Sequence, residues 1–194
     1  MKQKIAIIGR GNVGKAIQAG AQRAGHETRV VGRDGGAKDA AAWADMVVLA
    51  VPFTTVEAVA REIGGAADGK PVVDVTNVLA KDGSQAVGFT TSGAEQLQKH
   101  LPKARVVKAF NAVFASNMST GKVKGTPLML AVAADDGSAK EAVLSLGREI
   151  GFDAVDAGPL SNARLLEPMA LLLIQLGYVI NKGLGTAIGF SLVR

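Results

Sequence analysis

The chain of 194 residues contains no cysteine. Disulfide scaffolds, thiolate metal sites, iron–sulfur clusters and thiol nucleophiles are therefore excluded from it, and a reducing, cytoplasmic setting is expected. Histidine is nearly absent too: His26 and His100 stand far apart, without metal-ligand spacing. Aromatic residues make up only 4% of the chain, so a stacking platform for nucleic-acid bases is not expected. Lys and Arg outnumber Asp and Glu by 22 to 17, yet they form no run of five or more. That modest basic excess suits a small anionic ligand rather than nucleic acid. Long apolar runs are missing as well. The N-terminal Met1–Lys4 leads straight into Ile5–Ile8, too short for a signal-peptide core. The most apolar stretch, Met169–Ile174, is flanked by Glu167, Pro168, Gln175 and Gly177 and reads as a packed helix, not a membrane span. With six prolines and no Gly/Ser-rich linker, nothing in the composition marks a domain boundary.

What the chain does have is alternation. Strands are predicted at Ile5–Ile8, Thr28–Val31, Met46–Val51, Pro71–Val75, Arg105–Ala109, Leu128–Ala133 and Ala154–Asp156. Helices are predicted at Val13–Ala24, Ala37–Trp43, Thr55–Ile63, Ser92–His100 and Ser138–Glu149, with one long helix from Asn162 onward. Thr54 or Thr55 is a plausible N-cap, and Ser92 with Glu95 matches a capping box. The alternation implies βαβ units: an α/β, Rossmann-like, doubly wound, mostly parallel sheet with a short C-terminal helical extension. The extended loop Leu79–Thr91 leaves the carboxyl end of a central strand, where ligands usually bind.

Gly9-Arg10-Gly11-Asn12-Val13-Gly14 is a G-x-G-x-x-G placed between a buried-type strand and a helix, the context that gives this motif its meaning. Gly9 permits the tight turn, Gly11 lets a pyrophosphate approach the backbone, and Gly14 allows close helix–strand packing. The amides and positive dipole of the helix start attract the phosphates. At the end of the second strand stands Gly32-Arg33-Asp34. The glycine leaves room for a 2′-phosphate, Arg33 can grip it and stack on adenine, and Lys38 adds positive charge. Asp34 lies at the usual distance for a ribose-binding carboxylate but is expected to point to solvent. Charge logic favours NADP over NAD.

Further segments carry a family resemblance. Gly32-Arg33, Ala50-Val51-Pro52, Asp74-Val75-Thr76-Asn77, Gly88-Phe89-Thr90, Val107-Lys108-Ala109-Phe110-Asn111 and the run Asp156 to Glu167 together resemble the coenzyme F420-dependent NADP reductases, in order and across the chain. The Lys-Ala-Phe-Asn stretch is similar to the reductase domain of STEAP-type ferric reductases. The resemblance implies hydride transfer between NADPH and a flavin-like acceptor, F420 or FMN/FAD, with alignment supplied by the protein and no general acid or base required. It also implies that Gly9 to Gly14, Gly32 and Arg33 hold the phosphates and ribose. Val51, Pro52 and Phe53 would line the passage toward the nicotinamide, and Thr76, Asn77, Ala109, Phe110 and Asn111 would surround it. The archaeal F420 enzymes often carry histidine where this chain has Asn111 and have a longer loop between the second and third strands.

Read without the resemblance, Asn77 is equally a turn residue, Asn111 an N-cap and Phe110 a core residue. Asn162 reads as a helix cap, and Arg164 with Glu167 as an i,i+3 surface pair. His26 and Trp43 read as structural. Tyr178 and Lys182 match the Y-x-x-x-K of short-chain dehydrogenases, but the glycine spacing here is different and leucines stand where their serine would be. Hydroxyacid dehydrogenases and pyrroline-carboxylate reductases share the glycine loop but need more chain after Asp156 for a helical second domain. Residues 1–158 are thus expected to form the NADP-binding domain, and residues 159–194 a helix and tail that wall the cleft. The apolar tail Gly183–Arg194, with Leu184, Ile188, Phe190, Leu192 and Val193, is expected to pack together with the long helix across the two-fold of a homodimer. The expected partner is a small-molecule redox acceptor. A non-catalytic NADP(H) sensor and a reductase of small carbonyl or imine substrates are the competing functions.

Overall fold

The computed structural model describes residues 2–80, 82–181 and 186–193. Its strands are β1 (Lys4–Ile8), β2 (Glu27–Val31), β3 (Met46–Leu49), β4 (Pro71–Asp74), β5 (Arg105–Lys108), a small hairpin β6 (Lys122–Val123) and β7 (Thr126–Pro127), then β8 (Met129–Ala134) and β9 (Asp153–Asp156). The helices are α1 (Asn12–Arg23), α2 (Ala37–Trp43), α3 (Val56–Ile63), α4 (Gly93–His100), α5 (Ala115–Met118), α6 (Gly137–Ile150) and α7 (Ala163–Ile174). Seven strands form one sheet in the order β2-β1-β3-β4-β5-β8-β9. All its pairings are parallel except β5 with β8. The order reverses at β1, so the crevice outside the carboxyl ends of β1 and β3 is the topological switch point of the sheet.

The central strands are apolar on both faces because helices cover both. Ile5, Ile7, Met46, Val48, Val73 and Val107 face one core with Ile17 of α1 and Val143, Leu146 and Ile150 of α6. The intervening Ile8, Val47, Leu49, Val72 and Val106 face a second core with Ala41, Ala60, Ile63 and Leu97. Leu160 and Ala163 join that second core, so the start of α7 shares packing with the main sheet. Period-2 burial on both sides is what a doubly covered parallel sheet requires.

Several features carry no signal in the sequence. Residues 109–128 stay at the carboxyl edge of β5, where they form α5 and the hairpin, so the chain enters β8 from that edge and runs antiparallel to β5. Neither the four-residue α5 nor the two-residue hairpin strands carry enough periodicity to be seen in sequence. The long helix does not run as one α-helix either: after Ile174 it widens into a π-helical turn, Gln175–Ile180. Residues 160–180 are long and apolar enough to span a membrane by length and composition, with mean hydropathy 1.5. One face of this helix packs inward through Leu166, Ala170 and Leu173, while Leu165, Leu172, Tyr178, Val179 and Ile180 stay exposed.

Of the apolar tail, Gly183, Leu184, Gly185 and Arg194 lie outside the described residues, as does Lys182. The described part docks on its own chain: the Met129 N–H donates to Phe190 O at 2.8 Å, and the Asn117 amide donates to Thr186 O at 2.8 Å. Ile188 and Phe190 are half-buried there, and Leu192 and Val193 are exposed.

The expected pair of Arg164 with Glu167 does not form. The helical twist sends Arg164 to Glu95 of α4, bidentate at 2.8 and 2.6 Å. The hydrogen bonds from Arg164 and Ser92 hold the Glu95 carboxyl below its usual range, against the opposing effect of burial. Glu167 instead turns into the protein, 5% exposed, with one oxygen 3.1 Å from Lys108 Nζ. Its carboxylate also accepts the N–H groups of Gly93 and Ala94 at the start of α4. Lys108 is fully buried and donates in addition to Asp74 at 2.9 Å and to Thr76 O at 2.8 Å. Asn162 opens α7 without a side-chain cap and donates to Ala157 O. His26 and Trp43 have structural partners: His26 accepts from Gln3 N–H and bonds Glu149, and Arg29 stacks over the indole.

Lys108→Met should strand Asp74 and Glu167 as buried, unpaired carboxylates. The expected loss of unfolding free energy is about 3–5 kcal/mol by urea denaturation. The double variant Lys108→Met/Glu167→Gln should recover part of it.

Candidate functional site

The crevice at the switch point is a cleft of about 590 Å³, lined by the β1–α1 loop, the end of β2, the segment after β3, and α3. Gly9, Arg10 and Gly11 form one wall, Gly32, Arg33 and Asp34 a second, and Val51 and Pro52 a third. The three glycines of the fingerprint answer different demands. Gly9 has φ +128°, and a Cβ there would sit 2.0 Å from Ala50 O. A Cβ on Gly14 would sit 2.0 Å from Gly9 O. Those two glycines are required by the fold itself. Gly11 has φ −72°, which any residue adopts, and a Cβ on it would meet nothing within 4 Å. The protein leaves that space open, at the mouth of a cleft and at the N-cap of α1. No side chain caps α1 among the described residues, and its first turn has no acid. The free amides of Asn12 and Val13 and the helix dipole thus face an uncrowded surface suited to an anion.

Asp34 is exposed to solvent as expected, and its carboxylate lies 3.2 Å from the Arg10 guanidinium. Lys38 is exposed on α2 and is not among the residues that line the cleft. Phe53 faces away from the cleft, into an adjoining hollow of about 180 Å³ beside Gly93, Leu97 and His100. Its ring lies 3.0 Å from where a Gly93 Cβ would be, because the 3-10 turn Phe53–Thr55 rotates it toward α4. Glu62, unmarked by any sequence signal, also lines the cleft and accepts the Ala37 N–H at 2.9 Å.

The segments after β4 and β5 come together beyond the cleft. Thr76 N–H donates to Asp74 Oδ1 at 2.9 Å, so the strand end is pinned by the same carboxylate that holds Lys108. Thr76 Oγ1 and Asn77 Oδ1 are buried without a hydrogen-bond partner among the described residues. An orphaned buried acceptor is costly unless something supplies its partner, and these two lie side by side at a strand's carboxyl end.

Two expectations about the β5 end are corrected. The resemblance places Phe110 beside the nicotinamide, whereas its residue type alone reads as core, and the structure gives the core. Phe110 adopts φ +65° in a tight turn closed by Asn111 N–H to Ala109 O at 2.9 Å, and its ring is buried edge-on against Phe152, centroids 5.7 Å apart. The left-handed turn swings the ring into the core. Positive φ at a bulky residue is strained backbone of the kind concentrated at functional sites. Asn111 is not an N-cap. The same turn aims its amide at Leu166 O of α7, 2.7 Å away and buried. Ala109 is fully buried as well. These residues shape the floor and tie it to α7.

Comparison with known proteins places this geometry. The family described as NADP oxidoreductase, coenzyme F420-dependent, matches residues 34–78. The F420-dependent NADP reductase of Methanocaldococcus jannaschii is 30% identical over 170 residues, covering 84% of this chain and 74% of the relative. Metalloreductase STEAP3 of Rattus norvegicus is 36% identical over 106 residues, 55% of this chain but only 21% of that much longer protein. A solved structure from Arthrobacter sp. FB24, provisionally named an F420-dependent NADP-reductase, superposes with a TM-score of 0.90 at 26% identity and covers 99% of this chain and 100% of that one.

Gly11→Ala should leave the melting temperature unchanged within about 1 °C, since the added methyl meets no protein atom. Dinucleotide affinity measured by calorimetry should fall at least tenfold. Gly9→Ala should destabilise the fold outright, and equal melting losses in both variants would contradict the division of roles.

Proposed function

Because the chain belongs to the F420-dependent NADP reductase family, whose members are NADP-dependent oxidoreductases, we propose that it transfers hydride between NADPH and a flavin-like ring, either F420 or FMN/FAD. The observation that carries this reading is the open cradle at Gly11 between Arg10 and Arg33 at the switch-point cleft. When bound, NADP(H) carries the hydride chemistry. The chain's own contribution is binding and orientation. The amides of the Gly9–Gly14 loop hold the pyrophosphate, and Arg10 and Arg33 hold the 2′-phosphate. Val51 and Pro52 form the apolar wall along which the dinucleotide extends. Thr76 and Asn77, whose Oγ1 and Oδ1 are buried without a partner among the described residues, would stand at the nicotinamide end. Lys108 keeps that strand end in place through Asp74 and Thr76 O.

The test is NADPH oxidation by the purified protein with F420, FMN, FAD and flavin plus ferric chelate in parallel. Turnover with F420 alone assigns an F420–NADP oxidoreductase. Turnover with flavins alone assigns a flavin or ferric reductase. Tight NADPH binding with no turnover in any well favours the sensor function.

The exposed flank of the C-terminal helix belongs to the same reading. Leu165 and Leu172, seven residues apart on α7, share one side of the helix and are more than half exposed, and Val179 in the π-helical turn beyond is more than half exposed too. A second copy of the chain covers that side in our proposal, helix against helix across a two-fold axis. Sedimentation velocity at micromolar concentration should give a dimer, and a monomer there overturns the assignment.

A further inference from the structure

At the ribose end of the cleft, two cations and two carboxylates meet: Arg10, Arg33, Asp34 and Glu62. Their commitments differ. Glu62 caps α2 through the Ala37 N–H. Asp34 instead reaches back across Gly32 to Arg10, the variable residue between the first two glycines of the fingerprint. The two side chains close directly over that glycine. A Cβ on Gly32 would sit 2.9 Å from Asp34 Oδ1 and 3.0 Å from Arg10 Cδ. Both partners remain more than half exposed, so the pair is a solvent-facing latch rather than part of the core.

From this geometry we infer that Asp34 is a specificity-determining residue, one that competes with the nucleotide's 2′-phosphate for Arg10 and keeps the cleft open to NAD as well as NADP. The inference rests on the dinucleotide reading of the cleft. The chemistry follows from charge. A 2′-phosphate is a strong acceptor for guanidinium and would have to share Arg10 with the Asp34 carboxylate or displace it, while being repelled by it. A 2′-hydroxyl makes no such demand. It donates to a carboxylate, and the Arg10–Asp34 pair stays closed beneath it. Discrimination in favour of NADP is then left mainly to Arg33, and Asp34 works against it, the repulsive element that sets a difference of affinities.

The experiment compares wild type with Asp34→Asn and Asp34→Ser. Dissociation constants are measured for NADPH, NADH, 2′,5′-ADP and 5′-ADP by calorimetry, at low and at physiological salt. Asp34→Asn should tighten NADPH and 2′,5′-ADP about fivefold and weaken NADH and 5′-ADP by about the same factor, the scale of one exposed charge interaction. Asp34→Ser should move the same way, and both shifts should shrink as salt rises. If Asp34 serves only to prop Arg10 in place, both variants weaken NADPH, and the inference falls. Unchanged NADPH-to-NADH ratios in variants that bind normally overturn it as well. Failure of the wild-type protein to bind either dinucleotide would instead overturn the function proposed for the cleft.

Discussion

A lysine ammonium with no exposed surface must find three acceptors inside the protein, and Lys108 finds them on three different pieces of chain. Asp74 brings β4, Thr76 O brings the loop that leaves it, and Glu167 brings α7. Glu167 in turn holds the first amides of α4. The carboxyl edge of the sheet is organised by that one desolvated charge. Burial of an ion is tolerated only when its partners are complete, so the loop after β4 and the position of α7 are specified together. The strained turn at Phe110, two residues further on, adds a second tie to the same helix through Asn111 and Leu166 O.

The cleft itself depends on a different constraint, the near contact of backbone with backbone where β1 and β3 diverge. Gly9 against Ala50 O and Gly14 against Gly9 O leave no room for side chains. Gly11 sits between them with room to spare. The same motif therefore contains two glycines that the fold requires and one that the packing of the chain does not. Around it, the electrostatics are mixed rather than uniformly positive: the guanidinium of Arg10 is already engaged by Asp34.

The C-terminal helix shows how one element serves two surfaces. Its buried face carries Glu167 to Lys108 and Leu166, Ala170 and Leu173 to the body of the protein. Its opposite face remains apolar and open. An amphipathic period would have signalled a surface helix, but a helix apolar on nearly all sides reads only as packed somewhere.

Much of the architecture was legible in the residues. The period of the apolar positions, the stops at Gly25 and Pro52 and the Ser92–Glu95 capping box locate most strands and helices to within a residue or two. The glycine spacing after β1 locates the cleft. These signals are local, and local chemistry determines them. The antiparallel turn into β8, the ring of Phe110 in the core, Phe53 in a neighbouring hollow, Arg164 on Glu95 rather than Glu167, and Asp34 folded onto Arg10 were decided by the tertiary structure alone. Each depends on which distant segment arrives within hydrogen-bonding or packing distance. Partner choice among buried and half-buried side chains is a property of the assembled fold, because the energy of each contact exists only once both surfaces have left water.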